Sequence, residues 1–302
     1  MEAVLQSEFP SLARLIWGLV KFVELGAYFA GYWIWLFKRT KYSEREHLLV
    51  NPNYSLFAIY GGMLIFLGCA LRPLWGYPMD RPLYMSGWIL GGLVWVTVLL
   101  LGIRPIMQRR ISGEPADLHK LHELKPSVAI VMAGFFVGHG MTVGAGLTGD
   151  SPTVASGLLS TLCFTLVGIL LSIGFHAFMG RLSNVPLTRL VREGDTTAAV
   201  TQASYSVSIG FIMYNAIAGD FESVEESIVR FVGHVTLMMG MLVVTLLLAN
   251  KYLPRFMLGS ARKTDGHDVD MVDLFRRKAL VPVGLISIAQ VAVVIGISNF
   301  AL

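Results

Sequence analysis

The chain has 302 residues, of which 54% are hydrophobic and only 15% are charged, and its mean hydropathy is +0.63. These values exclude an ordinary soluble domain, in which about 25% of residues are charged. The formal net charge of +4 requires no nucleic-acid partner, because basic loops beside a membrane account for it and favour anionic lipid headgroups.

Eight apolar runs follow one another along the chain, and each is long enough to cross the roughly 30 Å hydrocarbon core of a bilayer as a helix. The runs are residues 12–37, 54–72, 86–104, 127–147, 153–178, 197–218, 228–250 and 280–300. They are continuously apolar, whereas the strands of a membrane β-barrel alternate between apolar and polar residues. The sequence therefore predicts an all-α, polytopic membrane protein with eight transmembrane helices and the lipid bilayer as its surroundings.

Most of the 24 Lys and Arg residues lie in four hydrophilic segments between these runs. The segments are residues 38–53, 105–126, 179–196 and 251–279. Cytoplasmic loops of membrane proteins carry such an excess of basic residues. We therefore expect a bacterial inner (plasma) membrane protein with these segments in the cytoplasm and both termini periplasmic or exterior. The 251–279 segment is either a short amphipathic helix at the membrane surface or a solvated connector.

A pattern in the first half of the chain recurs about 142 residues later. At this offset Gly26 aligns with Gly168, Arg39 with Arg181, Asn53 with Asp195, Gly68 with Gly210, and Gly91 with Gly233. Each half holds four spans, an even number, so the two halves have the same orientation. The pattern predicts two tandem parallel four-helix repeats, residues 1–150 and 151–302, each built from two hairpins.

Two helix starts carry most of this similarity. The segments Asn53–Gly62 and Asp195–Ser204 resemble the helix-start motif of the YjfL-like family, a polar Asn followed nine positions later by Gly. The resemblance implies a bacterial inner-membrane protein of unknown function, with two four-helix copies in tandem and no catalytic residues. It also implies a link to envelope stress and to protein partners in the envelope. Asp195 and Ser204 depart from the motif.

The chemistry of these helix starts has a simple structural explanation. Asn53 and Asp195 are residue types that cap helices, because their side-chain oxygens accept hydrogen bonds from free backbone N–H groups. We predict that both are helix caps.

The sixth span is unusually polar, with Gln202, Tyr205 and Ser206 among its residues. These side chains are interpreted as hydrogen-bonding groups between neighbouring helices.

Ionisable residues inside or at the edges of the spans are the sharpest chemical signal. They are Lys21, Glu24, Arg72, His139, Arg230 and His234. Charges at such depths are costly and usually face a bundle interior or a wet cavity. All six fall in the outer half of the membrane, so we predict an outward-facing polar cavity. In the alternative, Arg72 and Arg230 extend to the headgroups and Lys21 pairs with Glu24.

His139 and His234 also fit a cofactor hypothesis, because two histidines on different helices can ligate a b-type haem from opposite faces. A metal site with Glu24 as a third ligand is another version of it. Against this, the glycine spacing around His139 is typical of ordinary helix–helix contact. His234 aligns with Gly92 in the first half, so no ligand is duplicated. We expect no metal and no cofactor, with haem b as the alternative.

Sequence motifs argue against an enzyme. The chain has no phosphate-binding loop, nucleophile elbow, zincin motif or Cys-x-x-Cys pair. The leading hypothesis is a non-enzymatic membrane component, channel-like or scaffold, which works with envelope proteins and is compatible with a homo-oligomer. One alternative is a cytochrome-b-like redox subunit. Another is a proton-coupled secondary transporter that uses Glu24 and the histidines.

Overall fold

The computed structural model describes residues 10–40, 46–76, 82–148, 153–182, 185–218, 223–258 and 280–300. Those residues form helices and no strands, which confirms the prediction of an all-helical protein for the described part of the chain. The α-helices are α1 (Pro10–Arg39), α2 (Tyr54–Gly76), α3 (Pro82–Ser112), α4 (Pro126–Gly146), α5 (Val154–Leu182), α6 (Leu187–Glu193), α7 (Thr196–Ile217), α8 (Val224–Leu258) and α9 (Leu280–Phe300). A π-helical turn spans Glu46–Val50, and a 3-10 helix spans Leu118–Glu123.

Five of the described helices are long and apolar enough to cross a membrane, which indicates a membrane protein. They are Tyr54–Trp75, Ser86–Ser112, Pro126–Gly146, Ala155–Phe178 and Glu225–Thr245. Val283–Gly296 of α9 is a shorter apolar stretch. The other two predicted spans lie on α1 and α7. Lys21 and Glu24 lower the hydropathy of α1, and amides and hydroxyls lower that of α7.

Helix α4 lies at the centre of the bundle. It packs along its length against α2 on one side and α7 on the other, and α7 in turn packs against α9. Of the most apolar stretch of α4, 78% is buried, compared with 22% for the corresponding stretches of α5 and α8. The side chains that α5 and α8 expose are large and apolar, as expected for lipid-facing helices.

Small residues allow the three central helices, α2, α4 and α7, to approach one another closely. A Cβ on Gly134 would lie 2.6 Å from the Cα of Ala203 on α7, so nothing larger than glycine fits there. On the other face of α4, a Cβ on Gly140 would lie 2.6 Å from the Cα of Phe66 on α2. Stripes of small residues are the usual means by which membrane helices bring their backbones into contact.

The starts of the central helices are tied to one another by a pair of contacts that occurs twice. Asn53 donates from Nδ2 to the carbonyl of His122, and Lys125 donates from Nζ to the carbonyl of Arg192, each at 2.7 Å. The acceptor His122 lies three residues before Lys125, which directly precedes α4. The acceptor Arg192 lies three residues before Asp195, which directly precedes α7.

The second contact lies about two and a half helix turns deeper in the bundle. Gly62, nine residues after Asn53, packs on Ala133, whose Cα would lie 2.6 Å from a Cβ added at Gly62. Gly134, nine residues after Lys125, packs on Ala203 in the same way. The α2–α4 and α4–α7 pairs are therefore held by equivalent residues.

Asn53 and Asp195 take up the geometry of helix caps. Oδ1 of Asn53 accepts a hydrogen bond from the N–H of Leu56 at 3.0 Å, and Oδ1 of Asp195 accepts one from Ala198 at 2.9 Å. Each satisfies an N–H group that the helix itself leaves unpaired.

The helices extend further into the hydrophilic segments than predicted. Helix α3 continues to Ser112, and α8 continues to Leu258, so the first part of the 251–279 segment is helical. Regular i to i−4 hydrogen bonding continues past the apolar stretch because polar residues such as Gln108 and Arg109 are good helix formers. The predicted surface helix in the rest of that segment lies outside the described residues.

Candidate functional site

A cavity of about 570 Å³ lies where α3, α5 and α7 meet the short helix α6, at the end of the bundle that carries the basic segments. Pockets that hold small ligands typically measure about 300–1,000 Å³. Its lining residues come from α3, α4, α5, α6, α7 and the turn before α6. They are Arg110, Ile111, Phe135, His176, Ala177, Arg181, Pro186, Leu187, Thr188, Arg189, Arg192, Gln202 and Tyr205.

The floor of the cavity is a buried polar pair. His176 on α5 and Gln202 on α7 are 6% and 4% exposed, and Nε2 of Gln202 lies 2.8 Å from Nε2 of His176. With the amide as donor, this ring nitrogen is the acceptor and Nδ1 of His176 carries the proton. Nδ1 lies 3.4 Å from Oγ of Ser206, which donates in turn to the carbonyl of Gln202. The imidazole is therefore held as a neutral hydrogen-bonded ring.

One polar atom of this pair has no partner. Oε1 of Gln202 is buried and accepts no hydrogen bond within the described part of the chain. A buried acceptor without a partner costs about 1–3 kcal/mol. Gln202 lines the cavity, and its side chain therefore combines one hydrogen bond to His176 with one buried acceptor that has no partner among the described residues.

Four arginines surround the cavity, and they are not equivalent. Arg189 forms an ion pair with Glu193 at 2.8 Å, which also raises the pKa of its guanidinium. Arg192 donates to the carbonyls of Arg110 and Ile111 at 2.9 and 3.0 Å. These bonds satisfy carbonyls at the C-terminal end of α3, which the helix leaves unpaired.

Gly113 makes this attachment possible. It follows α3 in the left-handed region, at φ +81°, and a Cβ there would lie 3.1 Å from the guanidinium carbon of Arg192. Glycine is the residue that adopts this conformation without strain. The turn after α3 is thereby fixed beside α6.

Arg110 and Arg181 are the remaining two arginines. Both are exposed, and neither forms an ion pair with any residue that the structure describes. No Asp or Glu of the described residues lines the cavity. Arg192 has no acidic partner among these residues either, so the cavity contains three guanidinium charges that no carboxylate compensates, and Arg192 is already bonded to backbone carbonyls. This is an environment that attracts an anion.

The six residues of the predicted outward-facing cavity lie elsewhere. Lys21 is buried and donates to the carbonyl of Trp75 at 3.0 Å, which places it beside the last turns of α2, where Arg72 is exposed. Glu24 on α1 is half-buried. Arg230 is exposed and His234 half-buried on α8, while His139 is buried in α4. None of the six lines the 570 Å³ cavity, and the polar cavity stays a prediction.

The helix packing around His139 disfavours a haem. Nδ1 of His139 donates to the carbonyl of Phe135 at 2.9 Å, and Nε2 has no partner among the described residues. A ligand atom is thus chemically available. However, Gly138 and Gly140 on either side are in backbone contact with Ser206 and Phe66. A haem would have to push α4 away from α2 and α7.

The metal version of that hypothesis lacks a ligand set. No group of three His, Cys, Asp or Glu side chains in the described ranges could hold a metal ion. Glu24 therefore does not complete a site with His139 and His234. A two-histidine haem site stays a prediction, although the packing at His139 disfavours it.

His176 is the residue that the sequence reasoning missed. It lies in an apolar run that was interpreted as a plain transmembrane helix, and its partner Gln202 was interpreted as a contact between helices. A usable signal was present, because His176 is a single imidazole five residues before Arg181, close to a basic segment. Gln202 and Ser206 do bond to a neighbouring helix, and Gln202 and Tyr205 also line the cavity.

A family model described as Domain of Unknown Function (DUF350) matches residues 152–301. No curated protein and no solved structure matches the chain. The matched range supports an uncharacterised family over the second half of the chain, which contains His176 and Gln202. The YjfL-like name, a second copy in the first half and the link to envelope stress stay predictions.

Proposed function

We propose that this protein is a multi-pass membrane protein that binds an anionic ligand in the cavity between α3, α5, α6 and α7. The observation that carries the proposal is the pair Arg110 and Arg181, which line one cavity without an acidic partner among the described residues. Two guanidinium groups repel each other, and an anion between them removes that repulsion while it gains charge-assisted hydrogen bonds.

The role is binding and not catalysis. His176 is engaged by Gln202 and Ser206, and no carboxylate of the described residues lines the cavity to act with it as a general acid or base. The protein therefore acts as a non-enzymatic membrane component, in keeping with the scaffold hypothesis. A channel receives less support, because the glycine contacts of α4 close the centre of the bundle.

The architecture that we propose is a pair of tandem four-helix repeats, residues 1–150 and 151–302, with eight spans. Three observations support it. Each predicted span overlaps one helix of at least 21 residues. The bond from the residue before the helix to a backbone carbonyl, and the glycine contact, both occur in the α2–α4 pair and again in the α4–α7 pair. The family match covers residues 152–301, which is nearly the whole second repeat.

The orientation that we propose places the cavity in the cytoplasm of a bacterial cell. Arg110, Arg181 and Arg192 belong to the basic ends of the helices, which the positive-inside rule assigns to the cytoplasmic face of the inner membrane. The termini then lie outside. A ligand reaches the cavity from the cytoplasm or from the inner leaflet.

Thermal unfolding of the purified full chain with inorganic phosphate as the probe tests the proposal. Phosphate should raise the unfolding temperature in a saturable manner, since a ligand that binds only the folded state stabilises it. The double variant Arg110→Gln with Arg181→Gln should weaken phosphate binding by about tenfold or more, because each charged hydrogen bond contributes about 1.5–3 kcal/mol.

Arg109→Gln is the matched control. Arg109 is exposed on the same turn of α3 but does not line the cavity, so Arg109→Gln changes the net charge by one, as each of the two cavity substitutions does. It should leave phosphate binding within about twofold of the wild type, since only screened, long-range charge is lost. Equal phosphate stabilisation of all three proteins would show that the cavity is not an anion site.

A further inference from the structure

Helices α4 and α5 pack against each other in an antiparallel register that two contacts define. At the cavity, the ring centroids of Phe135 on α4 and His176 on α5 are 4.5 Å apart. Further along, a Cβ added at Gly146 of α4 would collide with Oγ1 of Thr165 on α5. Both residues of the second pair are eleven positions away from those of the first, in opposite directions along the sequence.

This register places a histidine and a serine opposite each other. His139 lies four residues after Phe135, and Ser172 lies four residues before His176. Residues four apart share one face of a helix, so both lie on the faces that make the first contact. His139 and Ser172 are therefore opposite each other, about 6 Å further into the bundle than the cavity floor.

Both residues carry a buried polar atom that lacks a partner in the described ranges. His139 is 2% exposed and Ser172 is 5% exposed. Nδ1 of His139 donates to the carbonyl of Phe135 at 2.9 Å, so Nε2 of the neutral ring is an acceptor. Neither this Nε2 nor Oγ of Ser172 forms a hydrogen bond with another described residue. The serine hydroxyl can donate as well as accept.

The central helices do not require a polar side chain at this position. His139 is the fourteenth residue after the one that precedes α4, and the corresponding residues of α2 and α7 are Leu67 and Ile209. Leu67 and Ile209 are 0% and 1% exposed, so aliphatic side chains fill this position in the other two helices. The imidazole instead brings a polar atom whose burial costs free energy unless it is hydrogen-bonded.

We infer that Nε2 of His139 and Oγ of Ser172 bind a water molecule between them. The water donates one hydrogen to the imidazole and accepts the hydroxyl hydrogen of Ser172. Buried waters typically make about three hydrogen bonds to groups that the protein leaves unsatisfied. Gly138 and Gly140 beside His139 are in contact with the neighbouring backbones, so a larger molecule cannot enter at this level without separating the helices.

The water site extends the polar floor of the cavity, formed by His176 and Gln202, by one helix turn into the bundle. Through it, an imidazole inside the membrane exchanges protons with water. Neither Arg110 nor Arg181 takes part, so the site stands or falls independently of anion binding.

Water-edited solid-state NMR of the full chain in lipid bilayers tests the site, because it transfers magnetisation from water protons to the protein atoms beside them. The ring of His139 and Cβ of Ser172 should receive this magnetisation. Thr142 is the internal reference, since it is 0% exposed on the same helix and its hydroxyl already donates to the carbonyl of Gly138 at 3.1 Å. A signal at His139 and Ser172 no stronger than that at Thr142 overturns the inference.

A pair of substitutions assigns the signal to this site. His139→Leu with Ser172→Ala removes both binding groups, and the signal at the Cα atoms of positions 139 and 172 should then fall to that of Thr142. Thr142→Val removes a hydroxyl that already has a partner and should leave the signal unchanged. If the double variant does not elute as a single folded species, Ser172→Ala alone replaces it. The signal at His139 should then decrease, because the water loses one of its partners.

An experimental density map that shows ordered waters separates the remaining outcomes. Density between Nε2 of His139 and Oγ of Ser172, at hydrogen-bond distance from both, supports the site. A direct hydrogen bond between the two atoms overturns it, and so does a contact with no density between them. A water signal that persists in the double variant also overturns it, because the water then lies elsewhere along the contact of α4 with α5.

Discussion

The α1–α2 and α5–α7 helix pairs occupy equivalent places at the offset of about 142 residues, yet their contacts differ in kind. Tyr60 on α2 stands where Gln202 stands on α7. The ring of Tyr60 packs edge-on against Trp33 of α1 with centroids 5.2 Å apart. Gln202 instead hydrogen-bonds to His176 of α5 at 2.8 Å.

The outer helices also present different faces at this level. Ile34 of α1, which aligns with His176, is 55% exposed, whereas His176 is only 6% exposed. Aromatic rings fill the first contact without any need for a further partner. The polar contact in the second pair leaves Oε1 of Gln202 unsatisfied. The aligned residues thus serve aromatic packing in the α1–α2 pair and a buried hydrogen bond in the α5–α7 pair.

The largest expected effect comes from disrupting α4, which packs against both α2 and α7. Gly138→Leu would drive a side chain into the carbonyl of Ser206 on α7, and Gly140→Leu would drive one into Phe66 on α2. Each should lower the free energy of unfolding by about 3 kcal/mol or more, because rigid backbone cannot move aside. Unfolding in detergent with added SDS measures this. Gly174→Leu, where nothing lies within 4 Å of a new Cβ, is the control. If the two variants lowered the free energy of unfolding by different amounts, the contacts of α4 with α7 and with α2 would not be equally important.

The second prediction concerns the replacement of the polar pair His176 and Gln202 by apolar side chains. Gln202→Leu alone should lower the free energy of unfolding by about 1–3 kcal/mol, because it leaves Nε2 of His176 buried without its partner. Adding His176→Phe should recover at least about 1 kcal/mol, since both polar groups are then absent. A double-mutant cycle from the same SDS titrations gives the coupling energy. Strict additivity would mean that the 2.8 Å hydrogen bond contributes nothing to stability.

The helices could be predicted from the sequence because the signals for them are local. Apolar runs mark helices because their length must match the bilayer, and Asn53 and Asp195 mark helix starts because capping involves residues only three apart. The cavity is different. Arg110 and Gln202 are 92 residues apart in the sequence, and only the packing of α3, α5 and α7 around α4 brings them to one site. His176 carries one local signal, its place five residues before Arg181, but the sequence does not identify Gln202 as its partner.

The third prediction compares the two caps. Asn53→Ala removes both the cap of α2 and the bond from Nδ2 to His122, whereas Asp195→Ala removes the cap of α7. We expect Asp195→Ala to cost about 1 kcal/mol and Asn53→Ala about 1 kcal/mol more. Asn53→Asp separates the two parts, because a carboxylate keeps the cap and cannot donate to His122. If Asn53→Asp is as destabilising as Asn53→Ala, the cap contributes nothing at this position.

The smallest effect is expected at Arg189, which lies at the cavity but is compensated. Its guanidinium is exposed and bound to Glu193 at 2.8 Å, so Arg189→Gln should leave the free energy of unfolding nearly unchanged, because solvent screens an exposed ion pair. Phosphate affinity should fall by less than about twofold, in contrast to the loss at Arg181, because the charge of Arg189 is already neutralised.

Glu193→Gln should act in the opposite direction, since it frees the Arg189 charge and should strengthen phosphate binding by about two- to threefold at low salt. Titrations of the two single variants and of Arg181→Gln at two salt concentrations measure these differences. A loss at Arg189 as large as that at Arg181 would mean that the cavity senses net charge alone, and the distinction between paired and unpaired arginines would then be wrong.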